Sequence, residues 1–175
     1  MNARAARPVE KLILDYLASP ETKNAVVKSL SQRSHEAFEA ILSFRGPYPE
    51  TIHPIDVHEE YLTPLLAGLL KACPQLLIGP KPARIPPRPF ILIAAAIEAN
   101  DPRFADTILA GLNDRSIDVK LAAVHGIRQC AFLHTPEVKL QLQRLMTMKS
   151  IATDAYSLAQ VRAALRAIGS RAPAR

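Results

Sequence analysis

Two His-Glu pairs, His35-Glu36 and His58-Glu59, set an imidazole beside a carboxylate. That donor mixture suits a non-haem iron, so these four residues are the candidate metal ligands of the chain. The plainer reading of each pair is a solvated first helical turn, where a Glu meets the positive end of the helix dipole. His125 lies among Ala122, Ala123, Val124 and Ile127, and His134 stands next to a turn. A lone histidine on an apolar helix reads as a satisfied core or groove residue before it reads as a base or ligand. Cys73 and Cys130 are the only cysteines; two lone thiols make no metal set, and they read as free core thiols of a reducing cytoplasm. There is no G-x-S-x-G, no phosphate loop and no spaced Cys/His array. Glu59 and Glu60 are sequence neighbours, which do not face one another on a helix. The expectation is a chain without catalytic residues or cofactor.

Charge gives the second kind of chemistry. The formal net charge is +6 with a pI near 9.6, and it is unevenly spread. Residues 137–175 carry seven Lys/Arg against Glu137 and Asp154. Within that stretch Lys139, Arg144, Lys149, Arg162 and Arg166 are the candidate polyanion-binding residues, because phosphate contacts need clustered Lys and Arg. Residues 73–89 add Lys81, Arg84 and Arg88 with no acid, whereas 46–70 hold Glu50, Asp56, Glu59 and Glu60 with no Lys or Arg. An acidic partner suits the basic end; a merely solvated basic face is the competing reading.

The elements that must position these groups are helical. Hydrophobic residues make up 49% of 175, ordinary for a globular chain, and no segment reaches the ~18 apolar residues of a membrane span. The basic start, Met1 to Arg7, is followed by an apolar run broken by Glu10, Lys11 and Asp15, which is no signal peptide. Apolar positions recur at helical spacing in about nine segments, with no strict alternation of strand length. Pro8 opens the first helix, Glu21 to Ser31 forms the next with Ala25, Val26 and Leu30 inward, and Ser34 reads as the N-cap of the third. Gly46 to Pro54 and Pro74 to Pro89 are proline-rich connections that no helix crosses. Phe90 to Ala99 is almost wholly apolar, hence buried on all sides. Asp101, Ser116, Thr135 and Thr153 or Asp154 are placed to cap later helices, the last of which Gly169 ends.

Two echoes run through these segments. Tyr61 to Leu69 (YLTPLLAGL) matches Phe104 to Leu112 (FADTILAGL), and Val119-Lys120-Leu121-Ala122-Ala123 matches Val161-Arg162-Ala163-Ala164-Leu165. Self-similarity at such a period marks stacked helical hairpins, since one hairpin alone cannot bury its apolar face. Asp101 to Cys130, with Pro102, Asn113-Asp114, Val119-Lys120 and Ala122-Ala123, resembles a HEAT repeat, and Thr135 to Gly169 resembles a second. Residues 57–99 look like a third with an enlarged connection, and 21–44 like a degenerate fourth. The resemblance implies a short, all-α, right-handed α-solenoid in one domain over 1–169, with an N-terminal cap at 8–18, repeats at about 21–44, 57–99, 101–130 and 135–169, and a tail at 170–175. It also implies that the second helices (34–44, 89–99, 116–130, 153–168) line one face, and that Lys120 and Arg162 pair with a turn aspartate such as Asp114 or Asp118.

Three functions are compatible with that architecture. The first is a non-catalytic protein-binding module, an adaptor, scaffold or toxin-neutralising protein, cytoplasmic and monomeric or weakly oligomeric. Its partner would meet the repeat face and the 74–89 connection through Lys81, Arg84, Ile85 and Arg88. The second is sequence-neutral nucleic-acid binding by the basic C-terminal repeat. HEAT-like DNA glycosylases are similar in fold but use Trp and other aromatics, and this chain has no Trp. The third is a metal enzyme: the His35 segment resembles deoxyhypusine hydroxylase, whose His-Glu pairs bind two irons. That family has four such pairs, against two here.

Overall fold

The computed structural model describes residues 8–46, 61–77 and 88–170. Among them the secondary structure is helical throughout: ten α-helices, short 3-10 turns and no strand. No helix among the described residues is long and apolar enough to cross a membrane. The chain divides into two compact units, Met1–Ala99 and Asn100–Arg175.

The first unit holds α1 (Val9–Ala18), α2 (Lys23–Ser31), α3 (Ser34–Ser43), α4 (Thr63–Ala72) and α5 (Pro89–Ala99). Its centre is α4, which packs against α2, α3 and α5. Leu65, Leu66, Leu69 and Leu70 of α4 are all fully buried, each contributing about 1.5–3 kcal/mol of transfer free energy. The apolar α5 buries Ile91, Leu92, Ile93, Ala95, Ala96, Ile97 and Ala99 and exposes only Phe90 and Glu98, so burial is nearly all-round. Asn100 then takes a left-handed conformation, φ 50°, the conformation that closes many helix C-termini. Gly68 lies where α4 crosses α2: a Cβ there would stand 2.9 Å from Cγ2 of Val27. On α2, Val26 and Leu30 face inward while Ala25 is exposed. The N-cap of α3 is Arg33, with Ser34 already inside the helix and no side-chain cap.

The second unit holds α6 (Ala105–Ala110), α7 (Ile117–Gln129), α8 (Pro136–Met146), α9 (Lys149–Ala152) and α10 (Ala155–Gly169). Helix α7 packs on α6 and α10, α8 packs on α10, and α9 touches both α8 and α10. Three caps hold these helices. The Asp101 carboxylate accepts from Arg103 N at 2.9 Å, Thr135 Oγ1 from Val138 N at 3.3 Å, and Asp154 Oδ2 from Ser157 N at 2.7 Å. Ser116 occupies the α7 N-cap position without a side-chain bond; Asp114 instead accepts from Ser116 N at 2.8 Å, an Asx-type turn. Gly169 lies inside α10, which continues to Ser170 as its C-cap. Helix α9 is a separate short helix that apolar spacing does not reveal; the backbone becomes extended at Met148 (ψ 131°) and restarts.

The echoes keep some of their meaning. Leu65, Leu69 and Ile108 are all fully buried, and Leu112 nearly so. Ala67 is buried whereas Ala110 is exposed. In the second echo Val119 and Val161 are both buried, but Lys120 is buried and Arg162 exposed. Neither Lys120 nor Arg162 makes an ion pair among the described residues, so the aspartate partner expected for them is not found there.

Candidate anion-binding cleft

Of the four candidate metal ligands, His58 and Glu59 lie outside the described residues. His35 and Glu36 are exposed in the first turn of α3. Arg33 Nη2 stands 2.5 Å from both carboxylate oxygens of Glu36, so this acid already has a cationic partner. Among the described residues no three His, Cys, Asp or Glu side chains gather as a metal set. Lys81, Arg84 and Ile85 also lie outside the described residues. Arg88, half-buried, precedes α5, and its carbonyl accepts from Leu92 N at 3.3 Å. The 3-10 turn Pro74–Leu76 packs on α3 and α4, so the start of that connection is seated on the first unit.

The five polyanion candidates fall on three helices, and all are exposed. Lys139 and Arg144 share α8 but are five residues apart, about 140° around the axis at 3.6 residues per turn. Lys149 opens α9. Arg162 and Arg166 are one turn apart on the outer strip of α10, the spacing at which helical side chains are neighbours. The set therefore has no single line of cations running through it.

One of the five does enter a concave site. An open cleft of about 430 Å³ lies between α7 and α10, lined by His125, Arg128, Gln129, Ala163, Arg166, Ala167 and Ser170. No acid lines it. Both arginines sit in the last turn of their helix, where a cation complements the negative end of the dipole. Arg128 Nη1 donates to Gln160 Oε1 at 2.8 Å, which ties its guanidinium to α10. Gln129 Nε2 lies 2.7 Å from His125 Nε2, so one ring nitrogen of His125 is engaged within its own helix. Arg166 has no ion pair or side-chain hydrogen bond among the described residues. The sequence reading missed Arg128 and Gln129. Their one local signal is the 125/128/129 spacing, which puts them with His125 on the outer face of α7.

The other conspicuous side chains are structural. His134 Nε2 bonds the carbonyl of Ile127 at 2.8 Å, satisfying one of the orphan acceptors at the α7 C-terminus; its Nδ1 is buried without a hydrogen-bond partner among the described residues. Cys73 and Cys130 are free and buried. Burial pushes the Cys130 thiol pKa up, which makes it a poorer nucleophile at neutral pH, and Cys73 Sγ reaches the Ser31 carbonyl at 3.8 Å. Hydrogen bonds from the Ser157 side chain and backbone hold the Asp154 carboxyl below its ordinary range, as expected of an ionised N-cap.

The chain has no significant match among protein-family models, curated proteins or solved structures.

Proposed function

We propose that the chain is a non-catalytic binding module of stacked HEAT-like helical hairpins, and that its second unit meets an acidic partner protein. The observation that supports this best is the concentration of net positive charge and exposed apolar surface in one stretch. Residues 100–175 carry eleven Lys/Arg against six Asp/Glu, so +5 of the net +6 belongs to the second unit. Of the four large hydrophobic side chains exposed among the described residues, three lie within 140–156: Leu140, Met148 and Tyr156. Lys139, Arg144 and Lys149 stand beside them in the chain and form no ion pair among the described residues. Aromatic and Met side chains with Arg are enriched where proteins meet. Solvation alone needs the charges and not the apolar groups between them.

The test is crosslinking of the whole chain in host lysate, wild type against a Leu140→Ser/Tyr156→Ser variant. A partner captured by the wild type and lost in the variant is the expected result. Equal capture by both, with equal melts, overturns the assignment of this surface. Sequence-neutral nucleic-acid binding is the second reading, favoured by the charge concentration alone. It requires retention on DNA or heparin at low salt with a steep salt dependence. Flow-through of the wild type at low salt rejects it.

A further inference from the structure

We propose that the α7–α10 cleft binds a carboxylate-bearing segment of a partner protein, clamped between Arg128 and Arg166. The class of partner rests on the protein-binding reading above; the chemistry of the site rests on the cleft. Arg128 and Arg166 approach it from opposite helices, and no acid among the described residues within it neutralises them. A guanidinium carries five donors in a planar fork. Arg128 commits Nη1 to Gln160, which fixes the plane and leaves its other donors uncommitted among the described residues. Arg166 commits none of its side chain among the described residues. Planar forks match carboxylates bidentately, which an ammonium cannot do. Ala163 and Ala167, one turn apart on α10, also line the cleft. Side chains that small let an incoming main chain come close to the helix. Gln129 and Ser170 add polar groups at the cleft wall.

The dimensions favour a discrete acidic segment over a nucleic-acid strand. A cleft of about 430 Å³ admits a few side chains. A phosphate backbone needs cations repeated along its path, whereas Lys139, Arg144 and Lys149 belong to α8 and α9, the first two on different sides of α8.

Fluorescence anisotropy of the full chain with a fluorescein-labelled peptide of alternating Asp-Glu and Gly residues tests this at low salt. Against it stand two double variants with equal charge loss: Arg128→Gln/Arg166→Gln in the cleft and Lys28→Gln/Arg115→Gln, both exposed, outside it. The cleft pair should weaken binding about tenfold or more, as expected for charges in direct contact, and the outer pair less than about threefold, as for rim charges. Ala167→Trp, which keeps both arginines and puts a bulky ring on a lining position of the cleft, should abolish binding. The proposal is overturned if the wild type does not bind the peptide, if both double variants weaken binding equally, or if Ala167→Trp binds as the wild type does. Tighter binding of a single-stranded oligonucleotide of equal charge, lost in the same cleft variants, also overturns it. Leu140→Ser/Tyr156→Ser should retain peptide binding. If the cleft variants leave peptide binding intact while that variant loses its lysate partner, the cleft assignment falls and the binding-module reading stands.

Discussion

Ala123 is fully buried on α7, while its neighbour Ala122 is half-buried. The sequence echo points to the pair without separating them, and either alanine has the small size that close helix packing needs. Ala123→Phe should overpack the unit and cost about 1–3 kcal/mol, with Ala122→Phe well below that; urea melts of the two variants compare them directly. Equal losses would show that the alanine pattern, and not the buried face, sets the contact. Tyr16 offers a second residue-scale test. It is buried, its ring meets Tyr61 edge-on with centroids 6.5 Å apart, and its pKa is pushed up to about 12, first by burial, then by the Glu98 charge and by Tyr61. A raised acid is favoured neutral in the fold. Its contribution is therefore complete below the unfolded value near 10 and is lost as pH rises towards 12. Over that window the wild type should lose stability that Tyr16→Phe does not, and denaturant midpoints measured at successive alkaline pH values read the difference. Parallel pH curves for the two proteins would show that the phenol is not held neutral by its surroundings.

At the scale of elements, Gly68 governs how closely α4 approaches α2. Gly68→Ala gains about 1 kcal/mol of helix propensity and loses a comparable amount against the stiff, β-branched Val27, so its melt should stay near the wild type. Gly68→Leu has no such balance and should cost about 1–3 kcal/mol by overpacking. A Leu variant as stable as the Ala variant would mean that the two helices can separate freely. The helices themselves were legible from apolar spacing, because burial of one stripe is what the 3.6 period records. Capping was less legible. Thr135 and Asp154 bond the backbone as their types suggest, but Ser34 is displaced by Arg33 at the cap, and Asp114 rather than Ser116 makes the turn bond before α7. A hydroxyl near a helix start has several backbone partners, and the chain path selects among them. The break before α9 was invisible because it turns on one backbone torsion at Met148. The cleft was legible in part. Arg166 was drawn from a run of basic residues, whereas Arg128 stands 38 positions earlier. Only the packing of α7 on α10 makes them neighbours.

For the whole molecule, charge and thiols are both divided between the units. Residues 1–99 carry eleven Lys/Arg against ten Asp/Glu, so the first unit is close to neutral and the positive field of the chain originates in the second. Cys73 belongs to the first unit and Cys130 to the second; each is buried, at 5% and 1% exposure, and no other cysteine competes with them. The protein thus carries its own pair of clocks. A thiol-modifying reagent can reach either sulfur only through an opening of its surroundings, and peptide mass spectrometry after a timed pulse reads the two apart. In mild denaturant, modification of Cys73 and Cys130 should follow separate rates if the units open independently and one shared rate if the chain opens as a single cooperative body. Gly68→Leu should hasten the Cys73 clock, and Ala123→Phe the Cys130 clock. Modification of both at the rate of a free thiol in native buffer would contradict their burial. No engineered probe is needed to watch one half of this chain yield before the other.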